Sequence, residues 1–307
     1  MRMTTPTPPL TINVSDYHQT GLRIDSFLHT VLPEHSRNYL QDLIKNGHVL
    51  VNSQPMIKSN YCVKPADIIS ITFKNREWNL DPTPVAFEVI DEQEDFLIIN
   101  KPAGLLVHHA TSSPGEITLV NGLLHSYPDM HNTESAQRPG IVHRIDKHTS
   151  GLLLVARNLQ AQAALSAMFK DRKIEKTYLA VASGITPATG RIDLPIGRHP
   201  TERHKMSTIG IESRNALSFF TAKEFFKEAT LLEVRIVTGR THQIRVHCAA
   251  IGHGLLGDST YGQSSPLIER QALHAWQMKF EYKEKSFSYQ APLPEDITRL
   301  LTALRKQ

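Results

Sequence analysis

His143-Arg144-Ile145-Asp146-Lys147-His148-Thr149-Ser150-Gly151 runs directly into Leu152-Leu153-Leu154-Val155-Ala156. A dense polar cluster meets an apolar run across a turn of small residues. The run suits one buried strand and is far too short to cross a bilayer. The polar half sets one carboxylate, Asp146, between two cations, Arg144 and Lys147. A carboxylate among cations is held ionised, and an ionised carboxylate can act as a nucleophile. A charged surface loop has the same composition, so these residues alone leave both readings open.

Outward from this stretch, strands and helices mix without regular alternation. Upstream, apolar runs at 87–90 and 96–99 flank the acidic turn 91–95 and predict a β-hairpin, ended by Lys101-Pro102-Ala103-Gly104. Downstream, a helix is expected over 160–170 with Leu165, Met168 and Phe169 on its apolar side, then a strand over 177–182. Leu232, Val234 and Ile236 alternate with Glu233 and Arg235, which predicts a strand over 231–237. Gly239-Arg240-Thr241 then turns the chain into a short helix, 242–251, stopped by Gly252. This mixture predicts an α+β fold rather than a doubly wound sheet.

Nearer the start, Ser36 stands where a helix cap belongs. Tyr39, Leu40, Leu43 and Ile44 keep helical spacing, and Gly47 follows at the C′ position. Strands are expected over 48–52 and 68–73. The stretch before this unit is Thr/Pro-rich, and a polar, Pro-containing linker follows it. The expected division is a flexible arm over 1–20, one domain over 21–75, a linker over 76–84 and a second domain over 85–307.

Composition bounds the function. A chain of 307 residues is long enough for two domains, and with 40% hydrophobic residues it buries real cores rather than remaining disordered. Lys and Arg total 34 against 30 Asp and Glu, a net charge of +4 that permits a polyanionic partner without requiring one. Two cysteines, Cys62 and Cys248, build neither a disulfide framework nor a CxxC zinc knuckle, which points to a reducing cytoplasm. Residues 1–10 lack the apolar core of a signal peptide. No phosphate loop, GxGxxG or HExxH motif is present. His242 and His247 are five apart and do not share a helix face, so no metal site is expected.

The HRIDKHTSGLLLVA segment resembles the signature of the ribosomal-large-subunit (RluA-type) pseudouridine synthases, His-Arg-Leu/Ile-Asp-x-x-Thr-Ser/Thr-Gly before an apolar strand. Three more segments resemble motifs of that family, in the family's order. They are Ile99-Asn100-Lys101-Pro102-Ala103-Gly104, Lys176-Thr177-Tyr178-Leu179-Ala180, and Thr238-Gly239-Arg240-Thr241-His242-Gln243-Ile244-Arg245 with Leu256-Gly257-Asp258 after it. Arg198-His199-Pro200-Thr201 and Gln271-Ala272-Leu273-His274-Ala275 resemble the family's D-type branch. Leu22-Arg23-Ile24-Asp25, Ser36-Arg37, 44–52 and 63–69 resemble an S4 domain, a small RNA-binding module of two helices and a short hairpin. Ala66 stands where that module usually carries glycine.

The resemblance implies a catalytic domain on a mixed, largely antiparallel sheet with flanking helices and a central cleft. The implied reaction breaks the N-glycosidic bond of a uridine in RNA, turns the base and rejoins it through carbon, with no cofactor and no metal. Asp146 is implied as its carboxylate; attack on the sugar, addition to the base and assistance to a glycal are three open routes. Arg245 is implied to pair with Asp146, Tyr178 to stack on a flipped-out uracil, and Arg144 to enter the vacated stack or touch the backbone. Arg23, Arg37, Lys45 and Lys58 are the implied phosphate contacts of the S4 unit. The implied partner is RNA, large-subunit ribosomal RNA in particular, with a monomeric enzyme and no membrane. A non-catalytic RNA-binding assembly factor is the competing reading. A glycoside or acyl hydrolase using Asp146 or Ser150 is disfavoured, since the chain has no GxSxG and no second carboxylate near the signature.

Overall fold

Alternation and helical spacing build two separate cores. The structure is a computed structural model and describes residues 9–14, 20–33, 35, 37–73, 81–108, 115–132, 138–202 and 204–307. The chain divides into two compact units, Met1–Glu77 and Trp78–Gln307.

The first unit contains β1 (Leu10–Asn13), α1 (Ile24–Val31), α2 (Arg37–Lys45), β2 (Val49–Val51), β3 (Gln54–Pro55) and β4 (Ile68–Ile71). Its antiparallel sheet runs in the order β1-β4-β2-β3. Tyr39, Leu40, Leu43 and Ile44 bury one side of α2 against Phe27, Leu28, Val49 and Ile69. Gly47, at φ +74°, ends α2 in a Schellman turn: its N–H donates to Ile44 O and that of His48 to Leu43 O. Ala66 adopts φ +66°, a left-handed conformation in which glycine is the unstrained residue. Ser36, the expected cap, lies outside the described residues.

The expected arm over 1–20 needs correction. Leu10–Asn13 is a strand paired residue for residue with Ile71–Ile68, and Ile12 packs against the core. The prolines that suggested an arm stop at Pro9, while Leu10-Thr11-Ile12 carries β-forming side chains.

The second unit places β5 (Glu88–Glu92), β6 (Phe96–Lys101), β7 (Ser150–Ala156), β8 (Glu175–Ser183), β9 (Thr189–Asp193), β13 (Leu217–Phe225), β14 (Ala229–Ile236), β15 (Leu273–Tyr282) and β16 (Lys285–Gln290) in one sheet. Its order is β5-β6-β7-β15-β8-β14-β13-β9, with β16 also on β15. The β7–β15 pair is parallel and its other pairs are antiparallel, so the sheet is mixed and largely antiparallel. Between β9 and β13, β10 (Ile196–Arg198), β11 (Met206–Ser207) and β12 (Ile211–Arg214) form a small sheet of their own.

Helices cover both faces. Leu153, Tyr178, Leu232 and Val234 pack with α3 (Leu119–Ser126) and α5 (Gln243–Ala250). The alternate residues Leu152 and Leu154 pack with α4 (Leu159–Lys170), and Leu179 and Leu231 with α6 (Glu295–Leu304). This double cover explains why all seven residues of β7 are buried and the strand shows no alternation. Residues 81–83, expected as linker, are tied to α3: Asn121 donates to Asp81 O at 3.0 Å, and Thr83 N–H to Asn121 O. Among the described residues no helix is long and apolar enough to cross a membrane.

Candidate active site

Asp146 sits in the loop that feeds β7. Ile145 anchors this loop in the core, and Thr149 N–H donates to Asp146 O at 3.0 Å. Gly151, at φ +110°, lies against the backbone of Ala275 on the parallel strand, where any Cβ would collide. The small residue after Thr149-Ser150 is therefore a packing requirement of the β7–β15 crossing.

Lys101, at the end of β6, holds the loop from behind. Its ammonium is fully buried and donates to the carbonyls of Pro102 (2.7 Å), Leu105 (2.8 Å) and Lys147 (3.0 Å). Gly104 N–H shares the Lys147 carbonyl. Burial, helped by the Arg270 charge and opposed by Asp146, pushes the Lys101 amine down to about 7. On the other side Arg270, forked on Asp296, donates to His148 O at 3.0 Å.

The Asp146 carboxylate, 19% exposed, accepts a hydrogen bond from Arg245 Nη1 at 3.2 Å. The expected Arg245–Asp146 pair is present, but the stronger fork goes elsewhere. Arg245 Nε and Nη2 donate to Asp258 at 2.7 and 2.8 Å. Burial works against both charges of that pair. The Arg245 fork and the N–H groups of Thr260 and Tyr261 hold the Asp258 carboxyl below its usual range. Asp258 and then Asp146 keep the guanidinium firmly charged.

Tyr261 touches both groups that approach Asp146. Its ring lies 4.9 Å from the Arg245 guanidinium carbon and edge-on to His242. Its hydroxyl accepts from Met206 N–H at 2.7 Å and lies 2.8 Å from His242 Nδ1. His242 Nε2 faces Asp146 at 4.0 Å. Burial lowers the His242 pKa despite Asp146, so the ring is neutral. His242 was expected inside α5; it precedes the helix at φ +57°, because Gln243 folds back to accept from Arg240 N–H at 3.0 Å.

Tyr178, on β8, is 7% exposed and lines the same cleft. Burial, reinforced by the Asp146 charge, raises its pKa, so the phenol stays protonated. The cleft has a volume of about 560 Å³ and brings Arg144, Asp146, Tyr178 and Arg245 together. His143 also reaches it, yet its Nε2 accepts from Leu154 N–H at 2.8 Å and its ring stacks on Phe169 at 4.3 Å. Burial pushes that ring down to about 3.

The expected S4 contacts split in two. Arg23 and Arg37 both bond the buried Asp25, which also accepts from Gln41 at 2.6 Å. Lys45 and Lys58 are exposed. Sequence reasoning missed Asp258 as the main partner of Arg245, and it missed Lys101, His242 and Tyr261 as supports. Asp258 and His242 had been quoted within a motif; Tyr261 carried no signal of its own. Among the described residues no group of three or more His, Cys, Asp or Glu side chains is placed to hold a metal.

Comparison with known proteins gives the family. Residues 95–250 match the family of RNA pseudouridylate synthases, and residues 22–69 match the S4 domain. The chain belongs to the RNA pseudouridylate synthase family: it is an isomerase that makes pseudouridine in RNA, with an S4 domain in its first unit. It is 40% identical over 295 residues to an uncharacterized RNA pseudouridine synthase, YlyB, of Bacillus subtilis, covering 94% of this chain and 96% of that one. It is 36% identical over 313 residues to ribosomal large subunit pseudouridine synthase D of Escherichia coli K12, covering 96% and 94%. A human structure, RNA pseudouridylate synthase domain containing 1, matches with a TM-score of 0.57 at 26% identity, covering 73% of this chain and 98% of that one.

Proposed function

We propose that this enzyme isomerises specific uridines of large-subunit ribosomal RNA in the cytoplasm, as a monomer, with Asp146 as the nucleophile. The observation that carries the reading is Asp146 itself, a partly exposed carboxylate at the base of a cleft, oriented by a buried arginine that is itself forked on Asp258. The D-type names of relatives similar along most of the chain support the choice of RNA.

In this reading the target uridine is flipped out of its stack, because a paired base is out of reach. Asp146 acts as the glycosidic bond N1–C1′ breaks; the uracil turns, C5 bonds to C1′, C5 loses its proton and N1 gains one. The product is an isomer, so no oxidant or co-substrate is consumed. Arg245 aims the Asp146 carboxylate through the Nη1 hydrogen bond. Tyr178 supplies a ring for the uracil to stack on. Arg144 occupies or flanks the vacated stack. Lys45 and Lys58, with the outer faces of Arg23 and Arg37, contact phosphates of the RNA.

The test is release of tritium from ribosomal RNA labelled at uracil C5. Wild type should release it and Asp146→Asn should release none while melting like wild type. No release by wild type from large-subunit RNA would sink the substrate assignment, and full activity in Asp146→Asn would remove that residue from its role. Rescue of a deletion strain by Asp146→Asn would favour the assembly-factor reading instead.

A further inference from the structure

The cleft is lined by six cations, Arg144, Lys170, Arg172, Lys176, Arg240 and Arg245, and by one carboxylate, Asp146. Arg245 is paired with Asp146; among the described residues the other five make no ion pair. Four of these five stand on one wall. β8 and β14 are paired with Lys176 opposite Ile236, so the turn after α4 and the turn after β14 lie side by side. The Lys176 ammonium lies against Gly239 and over the Phe169 ring, 5.4 Å from its centre. Arg240 is tethered through Nε to Asn215 O at 3.1 Å, which leaves its remaining N–H donors free for the cleft and sets it beside Arg214. Arg172 holds a left-handed conformation, φ +60°, at the tip of the turn after α4.

Clustered cations without internal counter-charges repel one another. Repulsion from Arg214 and Arg172 adds to burial in lowering the Arg240 pKa, and burial brings the Lys176 amine down to about 8. A ligand with evenly spaced negative charges relieves that repulsion, and an RNA strand supplies them. We propose that Lys170, Arg172, Lys176 and Arg240 form a phosphate-binding wall that grips the RNA backbone beside the target nucleotide. The wall gives the catalytic unit its own hold on the strand, in addition to the S4 unit. This inference rests on the pseudouridine synthase reading of the cleft.

The test uses full-length protein carrying Asp146→Asn, so that bound RNA is not converted, and a transcript of large-subunit ribosomal RNA. Affinity is measured from 50 to 250 mM KCl. Arg172→Gln with Arg240→Gln should weaken binding about 10-fold or more at 100 mM salt. The same pair should flatten the plot of log affinity against log salt by roughly 1.5. Lys170→Gln with Arg172→Gln changes only exposed side chains and should act in the same direction with the fold intact. Arg172→Lys with Arg240→Lys, which keeps both charges, should keep the parent slope. Arg191→Gln, on an exposed arginine paired with Asp193 outside the cleft, is the control and should leave the slope unchanged. An unchanged slope in both glutamine double variants, or a loss independent of salt and shared by the lysine pair, overturns the wall. If the parent with Asp146 intact releases no tritium, the synthase reading fails instead; if it does while the slopes stay put, only the wall fails.

Discussion

Each unit contains a buried aspartate gripped by arginine, and the two grips differ. In the first, Asp25 has no exposed surface and is held by Arg23 and Arg37, whose side chains remain 51% and 48% exposed. In the second, Asp258 is held by Arg245, itself only 8% exposed. Two of the five N–H donors of Arg245 go to Asp258, and one on Nη1 reaches Asp146. An exposed guanidinium that caps a buried carboxylate is screened by water and keeps a face for solvent or phosphate. A buried guanidinium forked on one carboxylate is rigid, and so can aim a second one.

The largest test of that contrast is Arg245→Met, which strands Asp258 in the core. It should cost about 3–5 kcal/mol of stability in urea unfolding, with tritium release lost. Asp25→Asn should cost less, about 1–3 kcal/mol, seen as faster hydrogen exchange in Ile24–Val31 and Arg37–Lys45. Equal costs for the two would erase the distinction between buried and exposed arginines.

Acid separates the units further. In the second, burial pushes His143 to about 3 and His274 to about 4, so both rings are neutral in the folded chain. The unfolded chain takes up these protons near 6.5. The stabilisation is thus full above pH 6.5 and is lost as pH falls toward 4, at about 1.4 kcal/mol per pH unit for each ring. Asp25 has a lowered folded pKa, so its contribution is present above the unfolded carboxyl value and is lost only at lower pH. His143→Gln keeps an acceptor for Leu154 N–H and should flatten the pH 6.5–4 slope by about one such increment. A slope identical to wild type would mean the ring is not held neutral.

The smallest effect concerns the support behind Arg245 and His242. Tyr261→Phe keeps the ring and removes the hydroxyl between Met206 N–H and His242 Nδ1. It should cost about 1 kcal/mol of stability. It should also lower kcat about 10-fold with a smaller change in KM. Wild-type kcat in this variant would show that the hydroxyl does not help to position the carboxylate.

Elements with one clean pattern were legible from the chain alone. The alternation read over 231–237 is the strand Ala229–Ile236, and the helix read over 160–170 is Leu159–Lys170. Leu10–Asn13 was hidden because a short strand borrows its stability from its partner, Ile68–Ile71, far along the chain. The proposed site of Asp146, Tyr178 and Arg245 was legible only through motif resemblance. Arg245 and Asp146 are 99 residues apart in sequence, and nothing local joins them. Asp258 was quoted as part of a motif, yet its role depends on burial, which spacing does not report.

Residue chemistry along the chain determined the fold class, the two cores and the absence of a bilayer-length apolar run. These follow from periodicity and from side-chain types that no folding rearranges. Tertiary structure alone decided which cations are committed. Arg23 and Arg37 turn to Asp25, Arg245 divides between Asp258 and Asp146, and Lys170, Arg172, Lys176 and Arg240 line the cleft with no ion-pair partner among the described residues. A charge interacts over ångströms rather than along the chain, so its partner is chosen only when the sheet brings distant turns together.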